Sequence, residues 1–168
     1  EQLPVGFKHV AEKIASGEAA IAGEESGGYA WAAKNAIAER DGMLTALLFL
    51  EMMAVTGKTP SQLWKEVETR YGSSSYKRID YRIHKAVVDK SLWTQKLIKK
   101  LPKKILGTPI QELISIDGLK IVLADGHWLL MRPSGTEPLM RVYAESDKAE
   151  RTQGLLDMAK KWVAPNLN

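Results

Sequence analysis

The chain has 168 residues, with 24 Lys and Arg against 20 Asp and Glu, three His and no Cys. That length accommodates one ordinary domain or two small ones, and a composition of 45% hydrophobic and 26% charged residues is globular rather than disordered or fibrous. The lack of Cys excludes a disulfide scaffold, a cysteine nucleophile and a thiolate metal site. It also fits a reducing compartment, so a cytoplasmic location is expected.

The first predicted element is an amphipathic helix from about Gly6 to Ser16, because Phe7, Val10, Ala11 and Ile14 recur at i, i+3, i+4 and i+7 and Gly17 follows. The opening residues Glu-Gln-Leu-Pro-Val-Gly show no leader pattern, and the missing initiator Met suggests a piece of a longer chain. Ala19 to Ala22 reads as a buried strand that runs into Gly23-Glu24-Glu25-Ser26-Gly27-Gly28. Three glycines in six residues make that segment a loop. Met43 to Thr56 is a strongly apolar helix whose Leu and Met side chains are expected in the core. Glu51 interrupts the run and it is too short to cross a bilayer, so no membrane partner is expected. Thr59-Pro60-Ser61-Gln62 is a capping box with Pro at the first helical position, and it starts a helix carrying Leu63, Trp64 and Val67.

Gly72-Ser73-Ser74-Ser75 is small, polar and flexible, which divides the chain into residues 1–72 and 73–168. Beyond it the period changes to two. Ile79, Tyr81 and Ile83 alternate with Arg78, Asp80 and Arg82, as in a half-buried strand. A helix from about Asp89 to Leu101 ends at Pro102. Strands follow at Leu113–Ile116, Lys120–Ala124 and Trp128–Met131, separated by the turn signals Asp117-Gly118 and Asp125-Gly126. Another runs over Leu139–Glu145, and the last helix covers about Lys148 to Val163. The second half therefore reads as one strand, a helix, four strands and a helix, an antiparallel sheet with helices on one face.

Between Tyr76 and Lys104, ten Lys and Arg face only Asp80 and Asp89, a local excess of +8 in a chain of +4. With no aromatic or Arg-rich readout pattern interleaved, this reads as a solvated face, and a nucleic-acid partner is not expected. The three His (His9, His84, His127) form no helical metal pair, and the last two read as strand-end surface residues. No two Asp lie within two positions of each other, so there is no D-x-D loop for Mg²⁺.

Two loops could carry chemistry. In Gly23 to Gly28, a carboxylate between glycines can accept hydrogen bonds from vicinal sugar hydroxyls; on the residues alone, a turn with solvated glutamates is the simpler reading. Arg132-Pro133-Ser134-Gly135-Thr136-Glu137-Pro138 offers an Arg fork and two hydroxyls, with a glycine that would let backbone amides curl into an anion nest. A phosphate cradle and a plain hairpin loop stand level there.

The order Pro-Val-Gly-Phe-Lys, Gly-Glu-Glu-Ser-Gly-Gly, Arg-Asp-Gly and Arg-Pro-Ser-Gly-Thr-Glu-Pro resembles the C-terminal part of the α-D-phosphohexomutases, the phosphoglucomutase/phosphomannomutase family. The resemblance implies the end of an α/β domain three followed by a TATA-binding-protein-like domain four. It also implies a reaction in which a phosphoserine exchanges its phosphoryl group with the 1- or 6-hydroxyl of a hexose phosphate, through a bisphosphorylated sugar. Glu24 and Ser26 match the sugar-binding loop, and Arg132, Ser134, Gly135 and Thr136 match the loop that holds the phosphate not being transferred. Lys8 matches a lysine of another active-site loop. Arg40 stands where some relatives carry a Lys proposed as proton acceptor, a role that an arginine's high pKa does not suit. Phe7 replaces a His and Leu3 a Thr of some relatives.

The family's Thr-x-Ser-His-Asn-Pro phosphoserine motif and its Asp-x-Asp-x-Asp-Arg metal loop are absent from this sequence. The resemblance thus implies a fragment that depends on N-terminal domains of the same chain, with Mg²⁺ and glucose 1,6-bisphosphate handled elsewhere, and no turnover by this polypeptide alone. The Glu-Glu-Ser form of the sugar loop resembles glucose-type members. Mannose phosphates are the alternative substrate, and a stand-alone phosphosugar-binding module the alternative role.

Overall fold

The computed structural model describes residues 3–24, 26–32, 37–135 and 137–164. The chain separates into two compact units, Glu1–Val67 and Glu68–Asn168, with the division falling inside a helix.

In the first unit, α1 (Phe7–Ala15) buries Phe7, Val10 and Ile14 against Ala30. Strands β1 (Ile21–Gly23) and β2 (Tyr29–Trp31) form an antiparallel hairpin around the glycine-rich loop. The strand expected to be buried is not: Ile21 is 49% exposed, because β1 pairs with β2 alone. The next helix, α2 (Gly42–Thr56), is capped at both ends. The Asp41 carboxylate accepts the Leu44 N–H at 2.8 Å, and Gly57 ends the helix in the left-handed region at φ 67°.

Its apolar side chains overturn the expectation that they form core. No residue of α2 is buried; Met43 is 81% and Val55 80% exposed, and Leu47 and Leu50 lie on the surface as well. The helix is apolar on every side, so no arrangement within this unit could cover it with one packed face. Helix α3 (Pro60–Tyr71) begins at the capping box as its sequence dictates: Gln62 accepts from the Thr59 N–H at 2.9 Å, and Thr59 Oγ1 accepts from the Gln62 N–H at 3.4 Å.

The second unit is one six-stranded antiparallel sheet in the order β3-β8-β7-β6-β5-β4, comprising β3 (Ser75–Arg82), β4 (Lys104–Ile105), β5 (Thr108–Ile114), β6 (Leu119–Leu123), β7 (Trp128–Pro133) and β8 (Leu139–Ser146). Helix α4 (Lys90–Ile98) follows β3 and α5 (Ala149–Val163) follows β8. This antiparallel sheet with helices on one face is the expected class, with one strand, β4, beyond the five expected. Strand β5 starts at Thr108 rather than Leu113, and β4 precedes it through a two-residue turn with Leu106 at φ 48° and Gly107 at φ 84°. Leu106-Gly107 lacks the Asn or Asp that advertises such a turn.

Strand alternation sorts the side chains. Ile121, Leu129, Met131, Met140 and Val142 pack with Leu97 of α4 and with Leu155, Leu156 and Val163 of α5. The other face carries Arg78, Asp80, Arg141 and Tyr143, together with Lys120 above the Trp128 ring at 4.5 Å. His127 is no surface residue: its side chain is 17% exposed, with Nδ1 3.2 Å from Asp125 and Nε2 3.5 Å from Asp147.

Candidate functional site

In the first unit the hairpin loop brings together three of the four predicted sugar-contacting residues. A backbone bond from the Glu24 N–H to the Gly28 carbonyl (3.0 Å) and one from the Gly27 N–H back to Glu24 (3.0 Å) close the loop. The Asp41 N–H donates to the Tyr29 carbonyl at 3.0 Å, which holds neighbouring Arg40 beside the hairpin. Glu24 Oε1 then accepts from Ser26 Oγ at 2.7 Å and from Arg40 Nη1 at 3.0 Å. Both bonds use the same oxygen, so Oε2 has no donor among the described residues.

Arg40 also lies over the buried Phe7 ring, 4.8 Å from its centroid, which ties α1 to the loop. Gly28 is required by close approach: a Cβ there would fall 2.5 Å from Arg40 Cδ. Lys8 is exposed on α1 and joins no ion pair among the described residues, so the structure does not bring it into the cluster. Glu25 lies outside the described residues.

In the second unit, Arg132 is the penultimate residue of β7, and its side chain is only 13% exposed. Arg132 Nε donates to Asp117 Oδ2 at 2.6 Å, leaving the Nη1–Nη2 edge without a hydrogen bond among the described residues. Ser134 is buried at 4% exposure; its N–H donates to the Leu139 carbonyl at 2.8 Å, and its Oγ accepts from the Glu137 N–H at 3.3 Å. These two bonds fold the loop back between β7 and β8. Gly135 is exposed at the crest, and Thr136 lies outside the described residues. Gly135 does not sit at a positive φ, so the curled nest that a left-handed glycine would build is not what places a glycine here.

Two residues at this loop escaped the sequence reading. Asp117 reaches Arg132 because the Asp117-Gly118 turn packs tightly on β7: Gly118 has φ 88°, and a Cβ there would stand 2.4 Å from the Met131 carbonyl oxygen. Lys90, the first residue of α4, places Nζ 3.4 Å from Asp117 Oδ1. The same Lys90 and Asp117 line a cleft of about 320 Å³ together with Ser91, Thr94 and Ser115. Arg141, the register partner of Arg132 on β8, is paired with Glu137 at 3.6 Å and Asp80 at 3.9 Å. The signal for Asp117 was present as a turn dipeptide; nothing local marked Lys90.

Among the described residues no group of three His, Asp or Glu could hold a metal ion. What the two loops offer is a carboxylate with one oxygen available for hydroxyl donors, and a half-buried guanidinium and ammonium beside a hydroxyl.

Comparison with known proteins finds relatives along most of the chain. The sequence profile of phosphoglucomutase/phosphomannomutase alpha/beta/alpha domain III matches residues 1–71, and that of the C-terminal domain of the same family matches residues 60–161. A phosphoglucomutase from Komagataeibacter xylinus is 32% identical over 162 residues, covering 88% of this chain and 28% of that protein. A probable phosphoglucosamine mutase from Methanothermobacter thermautotrophicus is 34% identical, with 91% and 33% covered. A phosphoglucomutase/phosphomannomutase from Thermococcus kodakarensis is 32% identical, with 94% and 31% covered. The chain therefore spans about a third of the length of these relatives. A solved structure of a phosphoglucomutase/phosphomannomutase family protein from Burkholderia thailandensis shares the fold, with a TM-score of 0.68 and 21% identity over 98% of this chain and 32% of that one.

Proposed function

The chain belongs to the phosphoglucomutase/phosphomannomutase family and corresponds to its third and C-terminal domains, and from that premise we propose that it supplies the sugar-hydroxyl and distal-phosphate contacts of an enzyme interconverting glucose 1-phosphate and glucose 6-phosphate. The observation that carries this reading is the Arg132–Ser134 loop. A guanidinium held at Nε by Asp117 presents its other edge in the fixed fork that suits a phosphate.

Phosphoryl transfer depends on positioning and charge stabilisation more than on covalent help from the protein. A phosphate gripped at Arg132, Ser134, Gly135 and Thr136 fixes one end of the hexose, so that the hydroxyl at the other end meets the reacting group as an intramolecular neighbour. Glu24 Oε2 accepts ring hydroxyls while Ser26 and Arg40 hold Oε1, and exposed Lys8 adds positive charge. Mg²⁺, the phosphoserine and the bisphosphate belong to parts of the enzyme outside these residues. Mannose phosphates are the alternative substrate, favoured by the combined name of the Thermococcus relative.

A backbone-amide NMR titration of the 168-residue chain tests this. Glucose 1-phosphate is expected to move amides at 132–137, glucose is not, and Arg132→Ala abolishes the response. No movement in a folded second unit overturns the phosphate role. Larger shifts at Glu24 and Ser26 with mannose 1-phosphate than with glucose 1-phosphate overturn the glucose preference.

A further inference from the structure

We propose that Lys90 is a second phosphate-contacting cation of the Arg132 loop; this rests on the reading of that loop as a phosphate site. Three observations converge on it.

The first is charge. Arg132 and Lys90 both turn to the single carboxylate of Asp117, at 2.6 and 3.4 Å. The three side chains are 13%, 33% and 17% exposed, so the ammonium and guanidinium are partly desolvated and together exceed their counter-ion by one positive charge. Charges withdrawn from water without full compensation are costly, and a phosphate monoester provides the missing negative charge.

The second is Gly135. Its φ is not in the left-handed region, so the backbone does not demand a glycine, and no backbone atom obstructs a side chain. What an added Cβ would meet is Lys90: Nζ at 3.7 Å and Cε at 3.8 Å. Those are ordinary contact distances, so the ammonium lies directly beside the crest of the loop, where the phosphate is proposed to rest.

The third is the frame. Lys90 is fixed at its Cα end by α4, whose N-cap Asp89 accepts the Leu92 N–H at 2.8 Å, and at its Nζ end by Asp117. The ammonium is thus positioned before any ligand arrives. Lys90 lies 42 residues before Arg132 in sequence, and only the packing of α4 beside the β5–β6 turn brings them together.

The test is calorimetric titration of glucose 1-phosphate into the 168-residue chain at fixed ionic strength, with parallel NMR detection of the Lys90 side-chain ammonium. Lys90→Met is expected to weaken binding about tenfold or more, the scale of one charge-assisted hydrogen bond, while Lys90→Arg retains most of the affinity. The ammonium resonance shifts with glucose 1-phosphate and not with glucose. Should Lys90→Met disturb the fold, Gly135→Ala is the second probe; its methyl group lies over Nζ and is expected to weaken binding with the amide spectrum of α4 unchanged. If wild type binds, Arg132→Ala does not, and Lys90→Met binds as wild type, the role of Lys90 is overturned and the loop reading stands. If wild type itself does not bind glucose 1-phosphate, both fall.

Discussion

Glycine and aspartate do most of the positioning at the level of single residues. Asp117 reaches Arg132 because Gly118 turns at φ 88° with its α-carbon pressed against β7. An L side chain at that φ costs about 1–2 kcal/mol, and here a Cβ would also collide with the Met131 carbonyl oxygen at 2.4 Å. Gly118→Ala is expected to destabilise the second unit by more than the dihedral cost alone and to pull Asp117 off Arg132. Thermal unfolding checks the first effect and the Arg132 Nε–H resonance the second. A variant with an unchanged melting temperature and an unchanged resonance contradicts this account of the turn. Gly126, at φ 84° in the companion Asp-Gly turn, has nothing within 4 Å of its added Cβ, so substitution there costs only the dihedral term.

At the scale of elements, the two units distribute apolar surface in opposite ways. Strands β6, β7 and β8 each bury one face under α4 and α5, so the period of two in their sequence translates directly into a closed core. Helix α2 has no such one-sided pattern, and its exposed Met43, Leu47, Leu50 and Val55 lie in a unit with too little partner surface to cover them. On the open face of the sheet, β3 and β8 are joined by charge. Arg78 donates two hydrogen bonds to Asp80 at 2.8 Å, and Arg141 approaches Asp80 from β8.

The hydrogen bonds from Arg78 hold the Asp80 carboxyl below its ordinary 3.8; they outweigh the opposing effect of partial burial, and the charges of Arg78 and Arg141 add to them. A depressed folded-state pKa stabilises the fold above about 3.8, and that contribution is lost as pH falls through the folded-state value. Wild type is therefore expected to be more stable than Asp80→Asn near neutral pH, with the gap closing as pH drops below 3.8 in denaturant unfolding. A gap that persists in acid contradicts the ionic account.

For the whole molecule, the proposed function assigns binding to the two loops and phosphoryl transfer to groups outside this chain. The phosphoserine motif is missing from its sequence, and no metal cluster exists among the described residues. The 168-residue chain with Mg²⁺ and glucose 1,6-bisphosphate is expected to give no conversion of glucose 1-phosphate to glucose 6-phosphate in a coupled assay. Measurable turnover would place the reacting groups within this polypeptide.

Local sequence was enough for features governed by local physics. The Thr59–Gln62 capping box, the start of α4 near Asp89, the two Asp-Gly turns with the strands beside them and the alternation of β3 all depend on neighbours within a few residues. The motif order from Pro4 to Pro138 likewise pointed to the family before any coordinates did. Tertiary structure decided what depends on residues far apart. The exposure of α2 and β1 follows from which partners are present to cover them, and the Leu106-Gly107 turn holds a left-handed leucine whose side chain packs 3.0 Å from where a Gly154 Cβ would stand. The same holds for the burial of His127 between Asp125 and Asp147, and for the meeting of Lys90 with Asp117 and Arg132. Each of these joins residues from separate elements, so it is fixed by packing and not by the residues on either side.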